Sequence, residues 1–240
     1  ASNQEINEKI CQTIDFAAKE HARIVVFPEL TANEKTVDEI RSYLITNQQI
    51  KDEVVLIYLG THWEKLEQGG INSGKVISGS GTVLYEATKN RRYEQYIKEE
   101  GDTYKEELSD TKDRVFLLDI PGWGRISWEI CLDYLEDLHD ASTILGANIR
   151  IVTAYTDRLH EMEKRAKNDG SDHGSVSILS NHCIFDEPKG KYSGFLTLPE
   201  INEKREMSSK LIKGTIDCLG KDCFKTKCGY LFSINTDLTY

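Results

Sequence analysis

Three short segments of this 240-residue chain set a reactive side chain directly behind a run of apolar residues. The first is Phe27-Pro28-Glu29-Leu30, which follows Ile24-Val25-Val26. The carboxyl end of a buried strand is where layered α/β sheets present their reactive groups, and a carboxylate desolvated there becomes a usable general base. The second is Gly81-Thr82-Val83-Leu84-Tyr85-Glu86-Ala87-Thr88-Lys89. A lysine that follows a strand and points into a pocket can stabilise an oxyanion. The third is Gly124-Arg125-Ile126-Ser127-Trp128-Glu129-Ile130-Cys131-Leu132-Asp133, read as a strand that runs into a cysteine with a helix behind it. Such a turn exposes the thiol to backbone N–H groups and to a helix N-terminus, which lower its pKa and can hold a tetrahedral intermediate. Each segment also has a plain reading: a loop glutamate opening the next helix, a solvated lysine, a core cysteine.

The segments between them must place these side chains. Ile6, Ile10, Ile14 and Ala17/Ala18 recur every three or four residues, which predicts a helix over 4–20 with one apolar face. Arg23 to Phe27 reads as a buried strand stopped by Pro28. A helix is expected over 38–47 and a strand over 54–60. Two hairpins are expected, one turning at Gly79-Ser80-Gly81 and one at Pro121-Gly122-Trp123-Gly124. Helices are predicted over 135–145, capped by Gly146, and over 159–168, ended by Asp169-Gly170. Strands are predicted at 149–153, 176–179, 195–198 and 211–216, with the charged stretch 200–209 as a surface loop or helix. Alternating helical and strand signals favour a layered α/β or α+β domain.

Composition narrows the function. The length suits one large domain. Thirty Lys+Arg against 40 Asp+Glu give a net charge of −10, which argues against a general nucleic-acid binder. The basic pair Arg91-Arg92 beside Tyr93 and Tyr96 is offset by Glu94, Glu99 and Glu100 and reads as a solvated face. No apolar run is long enough to span a membrane, and residues 1–6 carry no signal-peptide pattern. Six cysteines are too sparse for a disulfide scaffold, so a reducing, cytoplasmic setting is expected. Cys218, Cys223 and Cys228 lack the paired spacing of a zinc site unless His182 and Cys183 join them, and ordinary strand cysteines are the preferred reading. The six histidines form no metal motif and read as structural or exposed. Gly69-Gly70 is a loop rather than a phosphate cradle.

Taken together, the order Glu29, Lys89, Cys131, each behind its own strand, resembles the nitrilase, or carbon–nitrogen hydrolase, superfamily. The resemblance extends to NEKICQTIDFAAKEHARIVVFPEL, to INSGKVISGSGTVLYEATK with Asn72-Ser73, to GWGRISWEICLD, to GANIRIVTA and SVSILSN with Asn181, and to GKYSGFLTLP. It therefore runs from about Asn7 to Pro199. It implies a four-layer αββα sandwich in which two sheets face each other with helices outside. It implies Cys131 as nucleophile, Glu29 as general base and Lys89 as stabiliser of the tetrahedral intermediate. A second acidic residue is implied between Lys89 and Cys131. Glu106 is the first choice, with Glu99, Glu100 and Glu107 as alternatives. Leu132, Asp133 and Tyr134, directly after the cysteine, would line the substrate pocket. The implied reaction is hydrolysis of a nonpeptide C–N bond in a small amide, nitrile or carbamoyl compound through a thioester, with no metal or organic cofactor.

The likeness has departures. Residues 90–93 and 132–137 differ from the family's lining, and the family's first strand, which precedes the first helix, has no counterpart here. The chain is therefore expected to be one nitrilase-like domain, residues 1–240, within a larger or processed protein, with a fused or associated module as a partner. The resemblance also implies a homodimer or higher oligomer. A non-catalytic nitrilase-like module for assembly or ligand sensing stands as the alternative to a hydrolase.

Overall fold

The computed structural model describes residues 3–67, 69–97, 102–109, 113–156, 158–182, 192–202, 204 and 206–215. Cys183, Cys218, Cys223, Cys228, Glu99 and Glu100 lie outside them.

The first half of the chain builds one sheet and its helical cover. Helix α1 (Asn3–Lys19) leads to strand β1 (Ile24–Val26), then to α2 (Glu34–Thr46), α3 (Gln48–Glu53), β2 (Leu56–Tyr58), β3 (His62–Lys65), β4 (Gly70–Ser78) and β5 (Val83–Thr88). Asn33 caps α2, its side chain accepting from the Thr36 N–H at 2.9 Å. The strands order as β1-β2-β4-β3, with β5 on the other edge of β4. β1 and β2 are parallel; the remaining pairs are antiparallel. A small hairpin of β6 (Glu94–Ile97) and β7 (Asp102–Lys105) stands apart.

The second half builds the facing sheet. β8 (Leu117–Ile120) turns into β9 (Gly124–Ile130), followed by a single 3-10 turn (Cys131–Tyr134) and α4 (Asp137–Ile144). β10 (Ile149–Ala154), α5 (Leu159–His173), β11 (Val176–Asn181), β12 (Tyr192–Ile201) and β13 (Met207–Thr215) complete it in the order β13-β12-β11-β10-β9-β8.

The period of two along each strand sorts the core into layers. On β2, Leu56 and Tyr58 face the second sheet, where they share a core with Ile126, Trp128, Ile130 and Ile151, while Val152, Leu179 and Phe195 point to its far face. The neighbours of Leu56 and Tyr58, Ile57 and Leu59, face the other way, into Ile10, Ile14, Val37, Ile40 and Leu44 of α1 and α2. Helix α5 covers the far face of the second sheet through Met162 and Ala166. The result is the four-layer αββα sandwich. Each Ile or Leu side chain buried completely in these layers contributes about 1.5–3 kcal/mol. No helix of the described residues is long and apolar enough to cross a membrane.

Four local expectations change. Helix α5 continues past Asp169-Gly170 to His173, and its C-cap is Gly174 at φ +64°. Gly170 stays helical because a Cβ there would press on Ser209 of the adjoining strand, so its lack of a side chain serves packing. The charged stretch 200–209 holds the ends of β12 and β13 and the turn joining them. The helix expected over 135–145 begins later, because a 3-10 turn comes first. β3, α3 and the β6–β7 hairpin carry too little apolar pattern to be read in advance; β3 exposes three of its four residues.

Candidate functional site

Each of the three reactive segments ends at the same place between the two sheets. Glu29 leaves β1 in a loop held on both sides. Phe27 donates its N–H to the Tyr58 carbonyl at 2.8 Å, the Leu30 N–H donates to Thr61 Oγ1 at 3.0 Å, and Thr31 Oγ1 donates to the Pro28 carbonyl at 2.8 Å. Gly60, at φ +76°, packs under this loop so tightly that a Cβ would fall 1.9 Å from the Pro28 oxygen. Leu30 takes a left-handed φ of +62°, a conformation that costs a side chain about 1 kcal/mol or more.

Lys89 leaves β5, with its N–H donating to the Asn72 carbonyl at 2.8 Å. Glu106 follows β7, held by its own N–H to the Tyr93 carbonyl at 2.9 Å and by the Tyr93 N–H to Glu106 Oε2 at 3.1 Å. Cys131 stands at the end of β9 with φ +51°, where the strand breaks into the 3-10 turn.

These four side chains converge. Lys89 Nζ is 2.9 Å from Glu29 Oε1 and 2.9 Å from Glu106 Oε2. Asn72, on β4, donates through Nδ2 to Glu29 Oε1 at 2.7 Å and makes a longer 3.4 Å contact to Glu106 Oε1. The Cys131 thiol lies close enough to Glu29 and to the Tyr155 N–H for both to act on its acidity, and the Tyr155 N–H donates to Glu29 Oε2 at 3.0 Å. Tyr155 is held in turn by Asn181: the Thr156 N–H donates to Asn181 Oδ1 and Asn181 Nδ2 donates to the Thr156 carbonyl, both at 2.9 Å. Glu29, Asn72, Lys89 and Cys131 are all buried.

Burial sets the electrostatics. It pushes the Cys131 thiol up to about 12, with the Glu29 carboxylate adding to the rise and Lys89 and the Tyr155 N–H opposing it. The resting thiol is therefore protonated at neutral pH. Burial alone would lower the Lys89 ammonium, but the carboxylates of Glu29 and Glu106 outweigh it and hold the ammonium above its ordinary range. The arrangement sets a thiol beside a carboxylate and a cation between two carboxylates, groups that can serve as nucleophile, base and oxyanion partner.

Asp133 and Tyr134 turn to internal partners. Asp133 accepts the Asn90 N–H at 3.1 and 3.0 Å and the Arg91 N–H at 2.7 Å, so it secures the chain just after Lys89. Burial raises its carboxyl to about 7, against those N–H groups. The fully buried Tyr134 donates its hydroxyl to Asp169 Oδ2 at 3.0 Å. The hydrogen bonds of both side chains go to groups other than Glu29, Lys89 and Cys131 and hold the turn in place. Leu132 is partly buried, and Glu107, the other described alternative for the second acid, is exposed.

Sequence reasoning had no place in the site for Asn72, the Tyr155 N–H or His182. His182 lies by the Glu29 backbone, which acts against the lowering of its pKa by burial, and packs edge-on against Tyr155 with ring centroids 5.2 Å apart. The signal for Asn72 was present: a buried amide in the middle of a strand needs a polar partner.

No protein-family model matches the sequence, and no curated protein matches it. Solved structures do match in fold. An amidase from Nesterenkonia sp. superposes with a TM-score of 0.62 at 15% identity, over 89% of this chain and 85% of that one. A form of that amidase described as belonging to the nitrilase superfamily gives 0.58 at 16% identity, over 76% and 72%. The C. elegans NitFhit protein gives 0.61 at 15% identity, over 89% of this chain and 58% of NitFhit. One structure of the Nesterenkonia amidase, a glutamate-to-glutamine variant, shows the acetamide moiety of fluoroacetamide bound covalently at its active-site cysteine. The αββα sandwich of this chain is thus a nitrilase-like fold.

Proposed function

We propose, on the premise of this fold, that the chain hydrolyses a nonpeptide carbon–nitrogen bond of a small amide, nitrile or carbamoyl compound. The observation that carries the reading is the shared carboxylate: Glu29 is bound by Lys89 Nζ at 2.9 Å, and the same carboxylate acts on the Cys131 thiol beside it. That puts proton acceptor, nucleophile and oxyanion partner on one contact chain.

For an amide the steps follow from that contact. Glu29 takes the thiol proton as Cys131 Sγ attacks the carbonyl carbon, which removes the need for a free thiolate in a site that disfavours one. The C=O bond opens to an oxyanion beside the Lys89 ammonium. As the C–N bond breaks, the nitrogen takes the proton from Glu29 and leaves as ammonia or an amine. Water then gives a proton to Glu29 and attacks the thioester, and Cys131 recovers its proton as the acid departs. Glu106 and Asn72 hold Lys89 and Glu29 in place throughout.

The test is release of ammonia or amine from a panel of small amides, nitriles and carbamoyl compounds, with Cys131→Ala and Cys131→Ser alongside. Turnover by the native chain that vanishes in both variants, with unchanged circular dichroism, is the expected result. Turnover that persists in Cys131→Ala excludes the mechanism. Absence of turnover across the panel leaves the non-catalytic module as the better reading.

A further inference from the structure

Behind the Cys131 turn lies a second buried polar cluster, outside the reacting groups. Its centre is His139 of α4. His139 Nδ1 is 3.0 Å from Glu129 Oε2, and His139 Nε2 is 2.8 Å from Asp169 Oδ1. A neutral imidazole has one N–H, so bonds from both ring nitrogens to carboxylates call for the imidazolium. Arg150 of β10 completes the cluster, with Nη1 3.2 Å from Glu129 Oε1 and Nε 3.6 Å from Asp169 Oδ2. Two carboxylates and two cations then balance in a space shut off from water: Arg150 is wholly buried and His139 is 1% exposed.

The cluster grips the turn from both sides. Glu129 sits on β9 two residues before Cys131, and Tyr134, three residues after it, donates to the Asp169 carboxylate that His139 holds. The Tyr134 ring also packs edge-on against the His139 ring at 4.9 Å between centroids. Between these holds Cys131 keeps its left-handed φ of +51°, a conformation that persists only where the surroundings over-determine it.

We propose that His139 is the positioning residue of the Cys131 turn: as a charged strap between Glu129 and Asp169 it holds the thiol against Glu29, and loss of its charge lets the thiol go. This deepens the hydrolase reading, but its test is the thiol rather than turnover. The groups facing the ring are Glu129 from β9, Arg150 from β10, Asp169 from α5 and Tyr134 from the 3-10 turn; on its own helix, Ser142 and Thr143 donate to its backbone carbonyl. Burial lowers the His139 pKa, but bonds to Asp169 and Glu129 more than reverse that, against Arg150, and raise it above the ordinary value. A raised folded-state value means that the strap is complete below about pH 6.5 and is lost as pH rises through the folded-state pKa.

The experiment is iodoacetamide labelling of the full chain across a pH series, read at Cys131 and Cys11 by peptide mass spectrometry. Native chain, His139→Gln, Glu129→Gln and the double variant His139→Gln/Glu129→Gln are compared, each with and without Glu29→Gln. In His139→Gln, one buried carboxylate loses its counter-charge. Cys131 should then label at least about tenfold faster near pH 8, as its pKa falls toward the ordinary thiol value of about 8.5, and should no longer respond to Glu29→Gln. The double variant removes one charge of each sign and should restore slow, Glu29-dependent labelling. Labelling in His139→Gln within about twofold of native overturns the proposal, and so does a double variant as reactive as the single one. Should His139→Gln fail to fold, NMR of the His139 ring in the native chain decides: a ring neutral at about pH 7 overturns the strap, and one still protonated near pH 8 supports it. Amide turnover that survives with labelling unchanged would sink the strap alone, whereas restored labelling in the double variant of a chain without turnover would sink the hydrolase alone.

Discussion

Glu29 Oε1 and Glu106 Oε2 each lie 2.9 Å from the same Lys89 Nζ, so two buried carboxylates share one ammonium. The balance is uneven, with one more negative than positive charge when the thiol holds its proton. That excess is a reason for the thiol to stay protonated until a substrate arrives, because a third anion beside Glu29 would be badly placed.

Removing the shared cation should therefore harm both fold and rate. Lys89→Met is expected to cost about 3–5 kcal/mol of stability, as two carboxylates lose their shared counter-charge, and to lower turnover by at least about 100- to 1000-fold. Lys89→Met/Glu106→Gln should regain part of the stability and none of the rate. Urea unfolding and ammonia release separate the two effects.

Glu29→Gln should move acidity and activity in opposite directions. Burial raises the Cys131 thiol first and the Glu29 charge raises it further. Removing that charge lets Lys89 act with less opposition, so the thiol pKa falls and alkylation near neutral pH speeds up. Hydrolysis, deprived of its base, should drop by about 100-fold or more. A variant that is slower in both assays would show that Glu29 does not oppose ionisation of the thiol.

Asp133 predicts a pH trend in stability. Its folded-state value is raised to about 7, so its contribution is complete at acid pH and is lost as pH rises through about 7. Stability should decline from about pH 5 to pH 8, and Asp133→Asn should flatten that decline. Asp133→Ala should cost about 2–4 kcal/mol at any pH, because the Asn90 and Arg91 N–H groups lose their acceptor. Thermal unfolding followed against pH reads all three.

Gly60→Ala tests how firmly the Glu29 loop is held from below. With a Cβ built 1.9 Å from the Pro28 oxygen and a φ of +76°, the substitution should cost about 2–4 kcal/mol and displace Glu29. Turnover should fall by more than the fraction unfolded explains. An alanine variant of native stability would mean that the loop has slack.

Glu29, Lys89 and Cys131 were legible only as a set: each follows a strand signal, each alone reads as well as a loop, solvated or core residue, and their order carried the resemblance. The strand at 54–60 was legible as well, but its continuous apolar run says only that both of its faces are covered, not which residue meets which layer. The fates of Asp133 and Tyr134 were not legible. Whether a turn side chain opens to a pocket or turns inward depends on partners 42 and 35 residues away, the Arg91 N–H and Asp169. The end of α5 was misplaced by the same ignorance, since Asp169 reads as a helix stop until Tyr134 and His139 are seen bonded to it. One clue was open to view. Glu129 and Arg150 each interrupt an apolar strand run, and a charge in such a place has to find its opposite.

The left-handed backbone at Cys131 has a consequence for the history of such a chain. Glycine would rest there without strain, so the sturdiest form of this fold is one without a nucleophile. Selection for thermal endurance alone would drift toward an inert relative, and laboratory screens that reward only survival on heating should recover Cys131→Gly.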